Sequence, residues 1–306
     1  MSHADCGRHD TGWEHPEHVG RLRAITTALR GDPELFMQLL HIEGRHATAD
    51  ELALVHDPAY IAGLEALIEG LGATSARLGA DTVVSEGSWA AATAAAGCVL
   101  DGVDMAIDGR ALRSFAAVRP PGHHALRGEA MGFCLFGNVA LAAHYARRRH
   151  GLERVLIIDW DVHHGNGTQA LVDQEPGIRF VSMHQWPWYP GTGAATDRGP
   201  YRTVWNVPMS AGLEPETYMR ALIGAVDAAT AGWTPELVLI SAGFDSLRGD
   251  PLGGFTLELE HVTALTRAVV DRAGVWCGGK VVSALEGGYA PARVGAACVA
   301  HLRALT

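Results

Sequence analysis

The chain lacks the marks of a secreted or membrane-spanning protein. Its five cysteines in 306 residues are widely spaced and form no Cys-x-x-Cys pair, which argues against a disulfide framework and predicts a reducing compartment. Residues 1–10 are polar, where a signal peptide needs an apolar core. No stretch reaches the roughly 18 uninterrupted apolar residues of a membrane span. These absences predict a soluble cytoplasmic protein without a membrane partner.

Positive charge is also scarce. Lys280 is the one lysine, and 24 basic residues against 34 acidic residues leave a formal net charge of −10. Without a long basic tract, such a chain is poorly suited to binding phosphate backbones, so nucleic acid is not an expected partner. Hydrophobic residues, in contrast, are plentiful. They make up 48% of the chain, which is ordinary for a globular protein and too much for a disordered one.

Short apolar runs alternate with segments of helical spacing. Val155–Ile158 and Leu237–Ile240 are apolar on both faces, which is typical of buried parallel strands. The predicted strands are Ser114–Arg119, Arg154–Asp161, Ile178–His184, Thr203–Met209, Glu236–Asp245 and Lys280–Glu286. The predicted helices are Pro16–Leu29, Pro58–Leu71, Ser85–Ile107, Asn138–Arg149, Pro215–Thr230, Thr256–Arg272 and Pro291–Leu302. This alternation predicts an α/β fold, a mostly parallel sheet flanked by helices on both faces, in a single domain over residues 1–306.

The unusual polar residues follow the predicted strands. In open parallel sheets, ligands bind beyond the carboxyl ends of the strands. The polar groups that fall there are His123-His124, Asp159–His164, His184, Asp245 and Glu286–Tyr289. Because they come from five different strand ends, we expect them to converge in space.

Asp161 and His163 are candidate metal ligands. In an extended segment, residues i and i+2 point to the same side, so both side chains can reach one ion. A carboxylate and an imidazole suit zinc or a similar divalent metal, and a third protein ligand would leave an open catalytic position. Asp245, at the end of Ser241-Ala-Gly-Phe-Asp245, is the best third ligand. The alternative is a hydrogen-bonded strand terminus without a metal.

The adjacent pair His123-His124 is a candidate acid–base group. A metal-bound water needs a base to take its proton and an acid to protonate the leaving amine, and two histidines can divide that work. Asp159 would raise the basicity of its partner, whereas neutral Asn166 would orient the other histidine without doing so. Alternatively, both histidines are structural residues of a loop.

Tyr289 follows a Gly-Gly turn in Glu286-Gly-Gly-Tyr289. A tyrosine hydroxyl aimed at the metal could polarise a carbonyl and donate a hydrogen bond to an oxyanion. Considered alone, a tyrosine after Gly-Gly is more often a packing residue.

Together, these motifs resemble those of the metal-dependent histone deacetylase family. The matching strings run in order from His15 to Tyr289 and so cover nearly the whole chain. They are Arg119-Pro-Pro-Gly-His-His124, Gly132-Phe-Cys134, Asp159-Trp-Asp-Val-His-His-Gly-Asn-Gly-Thr-Gln169, Pro190-Gly-Thr-Gly193, Ser241-Ala-Gly-Phe-Asp245, Asp250-Pro-Leu-Gly-Gly254 and Leu285-Glu-Gly-Gly-Tyr289. Asn166 and the run Asp250–Gly254 are similar to the class II branch and its bacterial relatives, which include acetylpolyamine amidohydrolases.

The resemblance implies the arginase/deacetylase fold and the hydrolysis of N-acetyl amides, such as N6-acetyl-lysine, to free amine and acetate. It implies one zinc ion per chain, with Asp161, His163 and Asp245 as ligands. The substrate would be an acetylated lysine peptide or a small N-acetyl amine. The sequence predicts no particular oligomeric state.

The resemblance also implies roles for the remaining polar residues. His124, beside Asn166, would be the principal general base and acid. His123, oriented by Asp159, would tune the electrostatics of the site. Tyr289 would be the tyrosine that stabilises the transition state.

A substrate tunnel is implied as well. Phe133 and Tyr189 would form its two aromatic walls, and the Gly132 carbonyl would accept a hydrogen bond from the substrate amine. Asp81 would hold a peptide backbone at the rim. Polyamine-selective relatives carry an acid at the position of Leu252, and because this residue is apolar here we expect acetyl-lysine peptides or neutral N-acetyl amines to be preferred.

A structural monovalent cation, usually potassium in the family, completes the implied ligands. Its site would be built mostly from main-chain oxygens of Asp159, Asp161, His163, Ser182 and Met183.

Two positions depart from the family pattern. Val19 stands where a second proline is usual, and Gly137 stands where asparagine is commoner. Neither carries the chemistry. The segment before His15 is short, so a typical first strand is expected to be absent or abbreviated.

Three other functions compete with a lysine deacetylase. The first is an acetylpolyamine or other small-molecule N-acyl amidohydrolase. The second is a catalytically silent module that binds acylated ligands, although Tyr289 argues against it. The third is an arginase-like ureohydrolase, whose two metals about 3.5–4 Å apart would need more ligands at the strand ends and would leave the histidine pair without a role.

Overall fold

A parallel sheet organises the chain in the computed structural model, which describes residues 1–306. The strands are β1 (Ser75–Leu78), β2 (Thr82–Ser85), β3 (Arg113–Ala116), β4 (Val155–Asp159), β5 (Ile178–Gln185), β6 (Val204–Met209), β7 (Leu237–Ala242) and β8 (Val281–Leu285). β1 and β2 pair as an antiparallel hairpin. The other six form one sheet in the order β3-β8-β7-β4-β5-β6, in which every neighbouring pair is parallel.

Ten α-helices surround the sheet, and a 3₁₀ turn over Ala4–Arg8 precedes them. The helices are α1 (Gly20–Arg30), α2 (Pro33–Gln38), α3 (Ala49–Leu52), α4 (Pro58–Glu69), α5 (Ser88–Ile107), α6 (Asn138–His150), α7 (Asn166–Val172), α8 (Pro215–Thr230), α9 (Leu259–Cys277) and α10 (Pro291–Leu305). One hydrophobic cluster joins α4, α5 and α6 to one face of the sheet. The other joins α8, α9 and α10 to the opposite face.

The central strand β4 explains why the sheet is buried on both sides. Val155 and Ile157 belong to the cluster with α5 and α6, whereas Leu156 and Ile158 belong to the cluster with α8 and α9. All four side chains are fully buried. Since each such side chain contributes about 1.5–3 kcal/mol on burial, the continuous apolar run fixes the strand between two helical layers. The predicted α/β architecture, with a mostly parallel sheet and helices on both faces, is confirmed.

All six predicted strands are present, but several end earlier than expected. Glu236–Asp245 was the predicted range of β7, and the strand stops at Ala242 because Gly243–Asp245 turn toward the loop after β4. The predicted helix Thr256–Arg272 begins instead at Leu259, where Glu258 caps it, and runs on to a left-handed Gly278. The β1–β2 hairpin and the short helices α2, α3 and α7 were not predicted.

β3 is the outermost strand on its side of the sheet, and no complete strand pairs with its free edge, as expected. Only Met1 pairs with it: the Met1 amino group donates to the Phe115 carbonyl (2.9 Å), and the Met1 carbonyl accepts from the Ala117 amide (3.0 Å). The pairing with β3 ends there, because the next residue bonds elsewhere: the Ser2 amide donates to the Ile42 carbonyl (3.1 Å).

Helix α5 is long and apolar enough, by length and composition, to cross a membrane. However, 78% of its most apolar window is buried inside the molecule, as is usual for a core helix. All five cysteines are buried and unpaired.

Candidate active site

The carboxyl ends of β3, β4, β7 and β8 meet at one edge of the sheet. The loops that follow them carry His123-His124, Asp161–His163, Asp245 and Glu286–Tyr289, which converge as expected. His184, at the end of β5, does not join them, because its ring lies against His164 (4.7 Å between centroids).

Asp161, His163 and Asp245 form a compact buried group whose ligand atoms all lie within 4.8 Å of one another. His163 Nδ1 is 2.9 Å from Asp161 Oδ1 and 3.2 Å from Asp245 Oδ2. Two carboxylates and one imidazole at this spacing suit a divalent metal ion such as zinc.

A turn, rather than an extended strand, brings Asp161 and His163 together. β4 ends at Asp159, and the Asp161 carboxylate accepts a hydrogen bond from the amide of His163 (2.9 Å). Asp245 reaches the same turn because its Oδ1 accepts from the Val162 amide (2.8 Å). The expectation that an extended segment aligns the two ligands was therefore wrong, since the aspartate binds the chain two residues ahead of itself.

The group fits a divalent cation. Asp245 Oδ2 is buried and accepts no hydrogen bond, and a Cβ at Gly287 would clash with the carboxylates of both Asp245 and Asp161. In the chain alone, burial and the charge of Asp161 raise the pKa of Asp245 to about 7. Burial opposes a charge on His163, but the two carboxylates raise its pKa to about 10. A metal dication would supply the positive charge for which these groups otherwise compete.

The two adjacent histidines have different partners. His123 Nδ1 lies 3.0 Å from Asp159 Oδ2, and although burial alone would lower the pKa of His123, Asp161 and Asp159 raise it well above its ordinary value. His124 Nδ1 lies 2.7 Å from Asn166 Oδ1, and burial beside His123 lowers its pKa well below the ordinary value. Because the Asn166 oxygen can only accept, Nδ1 of His124 carries the proton and Nε2 keeps a free lone pair.

Glu286 holds the loop that carries both histidines, a role that the sequence did not reveal. Its Oε2 accepts hydrogen bonds from the amides of Gly122 (2.6 Å) and His123 (3.1 Å). The side chain is fully buried, and burial raises its pKa to about 7. An acid that directly follows the fully apolar end of β8 was the available signal.

Tyr289 lies at the end of this group with its hydroxyl free. Its amide donates to Asp250 Oδ2 (2.7 Å), and the Arg21 guanidinium lies 5.1 Å from its ring centroid. The hydroxyl makes no hydrogen bond within the chain. Burial raises the pKa of Tyr289 well above its ordinary value, so the phenol stays protonated and able to donate.

A buried ionic network behind Tyr289 was missed by the sequence analysis. Arg21 Nε donates to the Gly288 carbonyl (2.6 Å), and Glu17 accepts from both Arg21 (2.9 Å) and Arg119 (2.5 Å). The three side chains are fully inaccessible. Burial favours a neutral Glu17, yet the two arginines hold its pKa far below the ordinary value. Removing Glu17 would leave both buried guanidinium groups without their carboxylate partner, and breaking a buried pair in this way costs about 3–5 kcal/mol.

A narrow cavity of about 210 Å³ leads to the buried group. Its lining includes every substrate-binding residue that the sequence predicted. The lining residues are Asp81, His124, Gly132, Phe133, His163, Trp188, Tyr189, Leu252 and Tyr289. Trp188 was not predicted, and its indole nitrogen donates to the Leu252 carbonyl (2.8 Å) at the mouth. His123 does not line the cavity, so His124 is the histidine that a substrate can reach.

The tunnel wall is a tight turn with two residues at positive φ, Gly132 (56°) and Phe133 (68°). The Gly132 amide donates to Asp81 Oδ1 (3.0 Å), and the Phe133 amide donates to Thr82 Oγ1 (3.1 Å). A Cβ on Gly132 would clash with the His124 ring, so only glycine fits. Asp81 therefore holds the tunnel wall as well as lying at its rim.

A parallel sheet with an Asp-His-Asp group, a histidine pair and a free tyrosine hydroxyl at its carboxyl edge defines a hydrolase of the arginase/deacetylase fold. The comparisons with known proteins give the family. The model of the histone deacetylase domain matches residues 15–305, and the chain belongs to this family.

Named relatives agree with this assignment. The histone deacetylase-like amidohydrolase of Pseudomonas aeruginosa is 37% identical over 286 residues, which cover 92% of this chain and 73% of the relative. The human polyamine deacetylase HDAC10 is 36% identical over 298 residues, which cover 90% of this chain and 43% of the relative. The crystal structure of the HDA15 HD domain has a TM-score of 0.92 at 36% identity and covers 100% of this chain and 88% of that chain.

The chain is therefore a hydrolase that acts on amide bonds, in the deacetylase and amidohydrolase group. The predictions of family, fold and reaction class are confirmed. The silent binding module and the ureohydrolase are not supported.

Proposed function

We propose that the protein is a zinc-dependent deacetylase that hydrolyses N6-acetyl-lysine in peptides, or small neutral N-acetyl amines, to free amine and acetate. The observation that carries the proposal is the single narrow cavity in which His163, His124 and the unpaired Tyr289 hydroxyl meet. One zinc ion per chain would be held by Asp161, His163 and Asp245. When bound there, zinc supplies a Lewis acid for the acetyl carbonyl and lowers the pKa of a water.

The chain's own residues then handle protons and charge. His124 is the group that takes the proton of the attacking water at Nε2 and passes it to the leaving nitrogen, because Asn166 keeps its Nδ1 protonated. His123, paired with Asp159, carries positive charge beside the reacting centre. The Tyr289 hydroxyl donates a hydrogen bond to the substrate oxygen as negative charge develops on it.

The tunnel residues orient the acyl chain. Phe133 and Tyr189 line the cavity as apolar walls for the aliphatic part of an acetyl-lysine. The Gly132 carbonyl accepts only a weak contact from Cys134 Sγ (3.3 Å), so it can also accept the N–H of the scissile amide. We propose that the second carboxylate oxygen of Asp81 accepts hydrogen bonds from the main-chain amides of a peptide substrate.

A structural potassium ion beneath the site belongs to the same proposal. The buried main-chain carbonyls of Asp161 and His163 accept no hydrogen bond within the chain. Ser182 lies beside Asp159 in the register of β5 against β4, and Met183 follows it. These oxygen-rich surroundings suit a hard cation.

The buried free thiols support a cytoplasmic location.

An acetylpolyamine is the second candidate substrate, since the human relative HDAC10 is named as a polyamine deacetylase. A polyamine carries a second ammonium some distance from the scissile amide, and a desolvated ammonium without a partner costs several kcal/mol. The mouth of this cavity offers Leu252, which is apolar, and Asp81, whose second carboxylate oxygen we assign to the amides of a peptide substrate. We therefore expect peptides to be preferred.

Leu252→Glu is expected to shift this preference toward polyamines. A carboxylate at the mouth would pair with the remote ammonium and raise kcat/KM for N-acetylspermidine relative to an acetyl-lysine peptide by tenfold or more, about 1.4 kcal/mol. The measurement is acetate release from both substrates by wild type and variant. Leu252→Gln, similar in size but neutral, is the matched control and should leave the ratio near that of wild type. A wild-type preference of tenfold or more for the polyamine would contradict the assignment.

A further inference from the structure

A second set of metal-binding side chains lies at the N-terminal 3₁₀ turn and shares no residue with the active site. It consists of His3, Asp5 and His46, whose ligand atoms lie within 4.8 Å of one another. We propose that these three residues, the N-terminal cluster, bind a divalent transition-metal ion such as Zn²⁺, in addition to the catalytic metal.

The spacing of the three side chains suits such an ion. Asp5 Oδ2 lies 3.1 Å from His46 Nε2 and 3.7 Å from His3 Nδ1. Two ligands of a tetrahedral zinc ion with bonds of about 2.0–2.1 Å are roughly 3.3–3.4 Å apart. The two distances lie on either side of this value, so small side-chain shifts are enough to complete the site.

The hydrogen bonds of His46 show which of its nitrogens is free. Thr93 Oγ1 donates its only proton to carbonyls of its own helix, those of Trp89 (2.9 Å) and Ala90 (3.2 Å). It must therefore accept from His46 Nδ1, 2.8 Å away. With the Nδ1 proton donated to Thr93, Nε2 is the nitrogen that faces Asp5 Oδ2, 3.1 Å away, and is the one available to a metal ion. A hydrogen-bonded Nδ1 opposite a metal-binding Nε2 is the usual arrangement of a histidine ligand.

His3 and Asp5 also present lone pairs. The amide of Asp5 donates to His3 Nδ1 (3.1 Å), which identifies Nδ1 as the unprotonated nitrogen, and an ion bound there would replace this contact. Arg8 Nη1 contacts Asp5 Oδ1 (3.2 Å) and leaves Oδ2 for the ion. A proton could bridge only two of the three facing atoms, whereas a metal ion satisfies all three.

The donor set selects the kind of ion. Two imidazoles and one carboxylate suit zinc, nickel or copper rather than magnesium or calcium, which prefer oxygen ligands. The side chains of His3, Asp5 and His46 are 16%, 23% and 41% exposed, so an ion can enter from solvent and keep water in its remaining positions.

The ion would join three separate parts of the chain. His3 and Asp5 lie at the 3₁₀ turn, His46 lies in the segment before α3, and the Thr93 hydroxyl ties His46 to α5. The same segments are already linked by the Gly44 amide, which donates to the Ser2 carbonyl (2.9 Å). Zinc bound here would therefore stabilise the docking of residues 1–8 and would not take part in catalysis.

Metal stoichiometry of the intact, catalytically loaded enzyme tests the proposal. After dialysis against a chelator-buffered Zn²⁺ solution, wild type is expected to hold two zinc ions per chain, and His46→Ala and Asp5→Asn to hold one. Deacetylase activity should be unchanged in both variants. His41→Ala is the matched control, because His41 is an exposed histidine nearby that bonds only to the Phe36 carbonyl (2.8 Å). It should hold two ions.

Thermal unfolding gives an independent readout. Added Zn²⁺ should raise the unfolding midpoint of wild type and His41→Ala above that of the same proteins with the catalytic metal alone, and added Mg²⁺ should not. This increment should be absent in His46→Ala. One zinc ion per chain in wild type, or two in both His46→Ala and Asp5→Asn, would overturn the proposal. An equal loss in His41→Ala would overturn it too, since binding would then be adventitious.

Discussion

Asp245→Ala is expected to abolish deacetylation and to release the active-site metal. The substitution removes a buried carboxylate oxygen that accepts no hydrogen bond in the chain, so only Asp161 and His163 of the three proposed ligands would remain. Catalytic zinc sites use three. The loss of activity should exceed the roughly 10–100-fold that removal of an outer-shell partner costs. Metal analysis of the purified variant and acetate release from an acetyl-lysine peptide measure the two effects.

A second substitution separates metal loss from misfolding. Asp245 Oδ1 also accepts from the Val162 amide, and Asp245→Asn can keep that hydrogen bond while it removes the negative charge. We expect Asp245→Asn to retain the far-ultraviolet circular dichroism of wild type and to lose metal and activity. An Asp245→Ala protein with one metal ion per chain in the active site and normal turnover would rule out Asp245 as a ligand.

Tyr289→Phe is expected to lower kcat by a factor on the order of 10²–10³, which corresponds to about 2.7–4 kcal/mol in the barrier. The hydroxyl has no partner in the chain, and its pKa is raised, so its one available function is donation into the cavity. Because the charge on the substrate oxygen develops in the transition state, kcat should fall more than KM changes. Initial rates over a range of peptide concentrations measure both constants.

Tyr289→Phe removes only the hydroxyl and keeps the other contacts of this residue. The ring keeps its contact with the Arg21 guanidinium, and the Tyr289 amide keeps its hydrogen bond to Asp250. Metal content and thermal stability should therefore match wild type. Wild-type turnover in this variant would mean that Tyr289 only packs against Arg21 and Phe133.

Local patterns were enough to predict the framework of the fold. β4 and β7 were recognisable because an apolar run buried on both faces has few alternatives to a central parallel strand. The same reasoning located the site, since the polar residues directly follow these runs. It failed in local geometry: Asp161 and His163 were expected in extended backbone, whereas the Asp161 carboxylate turns the chain by binding the His163 amide. The spacing of apolar residues along the sequence does not show that a side chain will form such a hydrogen bond to the main chain.

Contacts between distant parts of the chain were not predictable from one sequence. Glu17 and Arg119 are 102 positions apart, and nothing in the spacing of either residue shows that they pair in the interior. The same holds for Asp81 and the Gly132 amide, 51 positions apart. Glycine at position 132 was noticed only through its motif. Its physical reason, the His124 ring where a Cβ would lie, needs the folded structure.

The most direct test of the account is the deacetylation rate of verified metal-free protein before and after Zn²⁺ is added back. If Asp161, His163 and Asp245 hold the metal that makes amide hydrolysis possible, the metal-free protein should release no acetate from an acetyl-lysine peptide. Activity should return as the active site fills with one zinc ion per chain and should then stop rising. Full activity in the metal-free protein would contradict the account.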